Sequence, residues 1–282
     1  MSDTKQVKNT ALKITFVGGG NMAKALISGL TGSGRNGRNH IHVVDIKPDC
    51  LVQLKEQFGV TTSSQIDAQI AESDVVLLSV KPQNMHEIAE KLTPYLNKKL
   101  VISIAAGIRV VDLSRWLHNY TAIVRTMPNM PALINSGITG MYATPDVSSE
   151  QRTIANDILS VVGKTVWLDD EALLDPLTAI SGSGPAYVFY FIEAMQKAAV
   201  EMGLSPEQGR ELALATFSGA SQLAAQSGES VSVLRERVTS KGGTTHAAIS
   251  CMEQSGVGNT IVTALKVASE RAKEMGNEYG QV

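Results

Sequence analysis

Four places in this 282-residue sequence carry residue types that can do chemistry. The first is Gly18-Gly19-Gly20-Asn21-Met22-Ala23, where the apolar run of Ile14, Phe16 and Val17 stops at a glycine cluster. Gly18, Gly20 and Ala23 fit G-x-G-x-x-G/A with a strand before and a helix after, the context a dinucleotide needs. Gly18 lets the chain turn sharply, and Gly20 lets backbone approach a pyrophosphate. Ala23 keeps the helix close to the sheet, while free N–H groups at the helix start face the phosphates. The second place is the end of the next strand, His40-Ile41-His42-Val43-Val44-Asp45, slightly further on than the usual ~20 residues. Asp45 can accept hydrogen bonds from an adenosine ribose, which favours NAD, whereas Lys47 can meet a 2′-phosphate, which favours NADP. The residues leave both cofactors open.

The third place is a set of three strand ends, where doubly wound sheets bind ligands. They read Ser79-Val80-Lys81-Pro82-Gln83, Ser103-Ile104-Ala105-Ala106-Gly107 and Arg125-Thr126-Met127-Pro128-Asn129-Met130-Pro131. Small residues at the second let a flat ring approach the backbone. Asn129, between two prolines, is a rigid polar group able to orient a nicotinamide or a substrate. The fourth place is Val238-Thr239-Ser240-Lys241-Gly242-Gly243-Thr244-Thr245, which joins two helices. Hydroxyls and glycines at a helix N-terminus make a nest for a carboxylate, since exposed N–H groups and the dipole both favour an anion. Simple capping by Thr244 or Thr245 is the plainer alternative, but it does not call for Gly242 and Gly243 together.

The elements that must position these residues fall into two halves. Strand-like runs at 12–17, 41–45, 74–80, 99–104 and 121–125 alternate with helical stretches near 21–31, 49–57, 64–72, 83–93 and 110–117. Such alternation predicts βαβ units and a Rossmann-type, doubly wound parallel sheet. Extended pieces at 137–143 and 163–168, flanking a helix near 148–160, can add edge strands. After Asp169 only helices are expected, near 170–179, 184–203, 206–226, 230–236, 244–254 and 257–274. The expected division is therefore an α/β dinucleotide-binding domain over 1–168, with residues 1–10 a loose tail, and an all-helical domain over 169–282. Pro185 to Met202 is apolar nearly all round, so it must be buried in a bundle or between subunits. Thr31 to Arg38 reads as a flexible loop.

Bulk properties narrow the function. Hydrophobic content of 43% and charged content of 18% describe a globular chain. A formal net charge of −2 offers no field for nucleic acid or an anionic membrane. No apolar run approaches the ~20 residues that span a bilayer. The polar N-terminus lacks the apolar segment of a signal peptide, and two distant cysteines, Cys50 and Cys251, suit a reducing cytoplasm. The five histidines form no ligand pair, so no metal is expected. No nucleophile elbow, Cys–His arrangement or P-loop is present. Hydride transfer to an already electrophilic carbon needs little beyond alignment and one proton source.

In order along the chain, Gly18-Gly-Gly-Asn-Met-Ala, Ser79-Val-Lys-Pro, Ser103-Ile-Ala-Ala-Gly, Arg125-Thr-Met-Pro-Asn-Met-Pro-Ala, Ser181-Gly-Ser-Gly-Pro-Ala-Tyr and Ser240-Lys-Gly-Gly-Thr-Thr resemble the pyrroline-5-carboxylate reductases. The resemblance runs from about residue 12 to about 275. It implies an NAD(P)H-dependent oxidoreductase that passes hydride to the C=N carbon of 1-pyrroline-5-carboxylate, giving L-proline in the last step of proline biosynthesis. It places the cofactor on Gly18, Gly20, Asn21, Met22 and Ala23, near Asp45, Lys47, Val80, Lys81, Pro82 and Ala105, with Asn129 close to the reacting end. It places the substrate carboxylate on backbone N–H groups of Ser240, Lys241, Gly242, Gly243 and Thr244, with Thr245 donating its hydroxyl to the ring nitrogen. It implies a homodimer through the helical half, often assembled into a ring-like decamer, and leans to NADPH. Lys241 departs from the proline that often precedes Gly-Gly in that family. A β-hydroxyacid dehydrogenase, with Lys197 as the catalytic lysine, and a non-catalytic dinucleotide sensor are the competing readings.

Overall fold

The computed structural model describes residues 12–32 and 40–281. The expected tail at 1–10 and most of the loop at 31–38 lie outside the described residues. One eight-stranded sheet carries the order β3-β2-β1-β4-β5-β6-β7-β8. Its strands are β1 (Ile14–Val17), β2 (Ile41–Val44), β3 (Thr61–Ser63), β4 (Val75–Leu78), β5 (Leu100–Ser103), β6 (Ile123–Met127), β7 (Gly137–Ala143) and β8 (Gly163–Trp167). The first six are parallel, β7 runs antiparallel to β6, and β8 is parallel to β7.

β1, β2, β4 and β5 are buried along their whole length, which is why Val, Ile and Leu dominate them. Alternate side chains feed two cores. Ile14, Phe16, Val75 and Leu77 join Ala23, Leu26, Ile27 and Leu30 of α1 (Asn21–Gly32) and Ala155, Ile158 and Leu159 of α5 (Ser149–Leu159). Val17, Val76 and Leu78 join Met85, Ala89 and Leu92 of α3 (Met85–Leu92) and Leu113 and Trp116 of α4 (Val110–Trp116). Each fully buried Leu or Ile contributes roughly 1.5–3 kcal/mol, so both faces are firmly covered. The strand order reverses between β1 and β4, which lie side by side and parallel. At such a switch point the carboxyl ends of the strands leave a crevice.

Three local readings are corrected. Thr61–Ser63 is a strand, β3, that no apolar pattern announces, because it is a short polar edge paired only with β2. The helix expected at 64–72 shrinks to a 3₁₀ turn at Ala68–Glu72, since the Asp67 side chain accepts the Gln69 N–H and caps a late start. Between β2 and β3, α2 (Pro48–Phe58) begins with proline at its first position and ends on Gly59 at φ 66°, both fitting helix ends. The helix expected at 170–179 is three short pieces: a 3₁₀ turn at Glu171–Leu173, α6 (Leu174–Leu177) and a π turn at Thr178–Gly182. Pro176, which has no N–H to donate, sits within α6.

The chain forms two compact units, residues 1–182 with 268–282 and residues 183–267. These divide it elsewhere than the expected border at 168/169. The second unit holds α7 (Gly184–Glu201), α8 (Pro206–Gln226), α9 (Val231–Arg237), α10 (Thr244–Gln254) and the first part of α11 (Val257–Gly280). α8 opens with a capping box in which Ser205 and Gln208 satisfy each other's backbone N–H. α7 and α8 meet at Ala199 and Gly209, where a Cβ on Gly209 would come within 2.9 Å of the Ala199 Cβ. Within one chain only Ile192 and Ala199 of α7 are buried, and Tyr190 is 73% exposed. Burial on every face is thus not achieved by the single chain, and an apolar surface of this kind marks a place of contact with another molecule.

One consequence for stability lies beside the site. His42 on β2 is buried, its Nδ1 2.9 Å from the Thr61 hydroxyl and its Nε2 3.2 Å from that of Ser63. Burial holds its imidazole below the ordinary value of 6.5, against the opposing pull of Asp67. The unfolded chain takes up the proton at the ordinary value and the folded chain resists it. This contribution to stability is therefore present above about pH 6.5 and is lost as pH falls through the lowered folded value. Urea midpoints at pH 7.5 and pH 5 should separate more for the parent chain than for His42→Gln. Equal separations would contradict this account.

Candidate active site

The glycine turn leaves β1 at the switch point, and its three glycines serve three different needs. Gly18 has φ 102°, and a Cβ there would lie 2.7 Å from the Ser79 carbonyl oxygen at the end of β4. Its N–H donates to the Val44 carbonyl at 2.7 Å. The Ser79 hydroxyl in turn donates to the carbonyls of Gly18 (2.7 Å) and Val17 (3.1 Å). A Cβ on Gly19 would meet Cys50 Sγ and Leu54 Cδ1, each at 2.8 Å. A Cβ on Gly20 would meet nothing within 4 Å, and its φ is not in the left-handed region. The chain's own packing thus explains Gly18 and Gly19 but not Gly20. An open, side-chain-free position at the head of a helix fits the close approach of a pyrophosphate.

The Gly20 carbonyl accepts the Lys24 N–H at 2.9 Å and so starts α1. Ala23 is fully buried and holds α1 against the sheet, while Asn21 is exposed and Met22 half-buried at its first turn. Asp45 stands at the end of β2. Its Oδ2 accepts the Gly19 N–H at 2.7 Å and its Oδ1 the Lys47 N–H at 2.9 Å. The Lys47 side chain is exposed and makes no ion pair with a described residue.

The remaining strand ends line up in the same unit. Val80 packs against the core while Lys81 is exposed, and Pro82 begins a 3₁₀ turn that leads into α3. Ala105 is 5% exposed, and the buried Ser103 hydroxyl accepts its N–H at 3.4 Å. Asn129 behaves differently from the free polar group that the sequence suggests. Its Oδ1 accepts the Ile138 N–H at 2.9 Å and its Nδ2 donates to the Ser181 carbonyl at 3.2 Å. It ties the end of β6 to β7 and to the π turn, with one amide hydrogen left over. Arg125, also on β6, is buried and paired with Glu171 at 2.8 Å, whose Oε1 also accepts the Val110 N–H.

Residues that sequence reasoning left unassigned brace these loops. Cys50 donates its thiol to the Gly19 carbonyl at 3.1 Å. Near the far end of α11, Tyr279 accepts a hydrogen bond from Gln83 at 3.2 Å. Its ring lies about where a Cβ on Gly107 would point, at 3.0 Å, and Gly107 has φ 76°. Ser79 was visible within its motif, but nothing in the sequence joins residue 279 to residues 83 and 107.

The second unit carries the other cluster. α10 begins at Thr244 with Gly243 as its cap residue and no side-chain cap. Capping by Thr244 or Thr245 is therefore not what the threonines do. Gly242 has φ 76°, which a side chain would strain, and the Gly243 N–H donates to the Ser240 carbonyl at 3.0 Å. The hydroxyls of Thr239, Thr260 and Thr263 bond back to the carbonyl four residues earlier. Those of Thr244 and Thr245 bond to no described residue. Exposed N–H groups and two uncommitted hydroxyls at a helix head are the makings of an anion site. Lys241 is exposed, without an ion pair among the described residues. Lys197, the lysine of the dehydrogenase reading, points to solvent at 79% exposure and pairs with Glu201 at 3.8 Å. No group of three His, Cys, Asp or Glu that could hold a metal ion occurs among the described residues.

Comparison with known proteins finds matches along both parts of the chain. Residues 171–275 match the family model described as pyrroline-5-carboxylate reductase dimerisation. Residues 13–107 match that of NADP oxidoreductase, coenzyme F420-dependent. A pyrroline-5-carboxylate reductase of Pseudomonas aeruginosa is 42% identical over 270 residues, covering 95% of this chain and 98% of that protein. The structure of a pyrroline-5-carboxylate reductase from Coxiella burnetii superposes with a TM-score of 0.89 at 38% identity, over 94% of this chain and 99% of that one. The Plasmodium falciparum pyrroline carboxylate reductase, solved with NADP bound, gives 0.84 at 29% identity, over 94% and 98%.

Proposed function

The chain belongs to the pyrroline-5-carboxylate reductase family, and on that premise we propose how its two clusters divide the reaction. It is an NAD(P)H-dependent oxidoreductase that reduces the C=N bond of 1-pyrroline-5-carboxylate to give L-proline, the last step of proline biosynthesis. Bound NAD(P)H supplies the hydride. Gly18, Gly20, Asn21, Met22 and Ala23 receive its pyrophosphate, and Asp45 or Lys47 its adenosine ribose. Val80, Lys81, Pro82 and Ala105 line the nicotinamide side, and the spare amide hydrogen of Asn129 is its contribution there. The observation that carries this assignment is Gly20, a glycine the chain's own packing does not require.

The backbone N–H groups of Ser240, Lys241, Gly242, Gly243 and Thr244 hold the substrate carboxylate, and the Thr245 hydroxyl donates to the lone pair that the ring nitrogen gains as hydride arrives. A protonated imine is the better electrophile, so selecting the iminium removes the need for a strong general acid. Holding the carboxylate aligns the imine carbon, and alignment is the main contribution of such a site. The apolar surface of α7 and the matched dimerisation model support an oligomer. We propose a homodimer through the helical half, with decamers built from dimers. No described helix is long and apolar enough to cross a membrane. The two free cysteines suit the cytoplasm we propose for the enzyme.

The test is cofactor absorbance at 340 nm (the dihydronicotinamide band) with each of NADH and NADPH. Oxidation should depend on added 1-pyrroline-5-carboxylate. Binding of both cofactors without oxidation would refute the reductase reading. Lys241→Pro removes one of the N–H groups proposed for the carboxylate but leaves the others of the segment and breaks no bond to a described residue, so turnover should stay within about twofold. A collapse of turnover would give the lysine a direct role.

A further inference from the structure

We infer that Asp45 makes this chain select NADH over NADPH, because its carboxylate already fills the anion position that a 2′-phosphate would need. The inference rests on reading the first cluster as the cofactor site. Two backbone N–H groups, those of Gly19 and Lys47, converge on one carboxylate at 2.7 and 2.9 Å. Converging backbone donors of this kind are what a phosphate seeks. Here the chain has supplied its own anion to them.

The carboxylate has little freedom to vacate the place. Gly19, whose N–H anchors it, is also held through the next peptide unit, where the Gly19 carbonyl accepts the Cys50 thiol proton at 3.1 Å. Burial, and then the Asp45 charge, push the Cys50 thiol up, which keeps that proton in place. A Cβ on Gly19 would collide with Cys50 and Leu54, so this residue is packed closely against α2.

With one N–H on each oxygen, the carboxylate keeps lone pairs for further donors. A ribose 2′- and 3′-diol brings O–H donors and suits it. A 2′-phosphate brings only acceptors and further negative charge, and like charges in contact are strongly disfavoured. Two cations act on the same neighbourhood, Lys24 and Lys47. Lys24 Nζ donates to Gln53 at 3.1 Å, and the exposed Lys47 side chain is unpaired among the described residues. Both are long, partly or fully exposed stems screened by water and salt, whereas the carboxylate is fixed. The fixed charge decides the preference, and the choice between Asp45 and Lys47 that the sequence leaves open falls to Asp45.

The test is calorimetric titration of the full-length chain with NADH and with NADPH, without substrate. NADH should bind at least about tenfold more tightly. Asp45→Ser, checked by thermal melting to be folded, frees both N–H groups and should move the ratio of dissociation constants at least about tenfold toward NADPH. Equal or tighter binding of NADPH by the parent chain would overturn the inference, whatever the variant does. So would an unchanged ratio in a folded Asp45→Ser. A parent chain that binds neither cofactor would overturn the cofactor-site reading and the inference together, whereas the wrong preference with tight binding would overturn the inference alone.

Discussion

A Gly20→Leu variant is expected to melt close to the parent chain and to bind NADH and NADPH on the order of 100-fold more weakly. The folding half of this expectation follows from the open space at Gly20, where a Cβ meets nothing within 4 Å and φ needs no glycine. The binding half follows from the side chain's occupying the approach to the N–H groups at the head of α1, where a pyrophosphate must come close to backbone. Gly18→Ala makes the contrast. There φ is 102° and the new Cβ would sit 2.7 Å from the Ser79 carbonyl oxygen, against backbone that cannot yield cheaply. That variant should lose about 3 kcal/mol of stability before any effect on cofactor is considered. Melting curves paired with calorimetric titration separate the two. A Gly20→Leu chain that keeps its cofactor affinity would remove the pyrophosphate from this turn.

The second large effect is expected at Thr245. Its hydroxyl forms no hydrogen bond with a described residue, and the cap residue of α10 is Gly243. Thr245→Ala therefore takes nothing from the fold, and alanine is the better helix former by about half a kcal/mol. The melting temperature should hold or rise slightly. Catalysis should suffer, because a hydrogen bond to a charged or charging group contributes roughly 1.5–3 kcal/mol, equivalent to about 10- to 100-fold in kcat/KM. Thr245→Ser should recover most of the loss. Activity unchanged in Thr245→Ala would place the hydrogen bond to the ring nitrogen elsewhere, and a collapse in melting temperature would make the residue structural.

How far the sequence was legible depended on how local the signal was. β1, β2, β4 and β5 read as short apolar runs because both faces of the sheet are covered. The glycine turn was equally plain, since Gly18, Gly20 and Ala23 stand at fixed spacing between a strand and a helix. β3 escaped because a polar edge strand of three residues has no periodicity to display. Asn129 was recognised as rigid, but its partners Ile138 and Ser181 lie 9 and 52 residues away, and no spacing announces such pairings. The division of the chain escaped for the same reason. Residues 268–282 return to the first unit, where Arg109 donates to the Asn277 side chain at 2.9 Å and Tyr279 meets Gln83 and Gly107. Within the site, the types and places of Asp45 and Lys47 were legible, yet their consequence was not. Only the two hydrogen bonds that lock the Asp45 carboxylate decide between the charges.

The most direct measurement follows the hydride itself. The full-length chain is incubated with 1-pyrroline-5-carboxylate and cofactor carrying deuterium at both C4 positions of the dihydronicotinamide, and the product is analysed by mass spectrometry and NMR. L-proline carrying one deuterium at C5 is the predicted product, since that carbon is the electrophilic end of the C=N bond. Cofactor oxidation that yields no deuterated proline, or binding with no transfer at all, would contradict the assignment of this chain's chemistry.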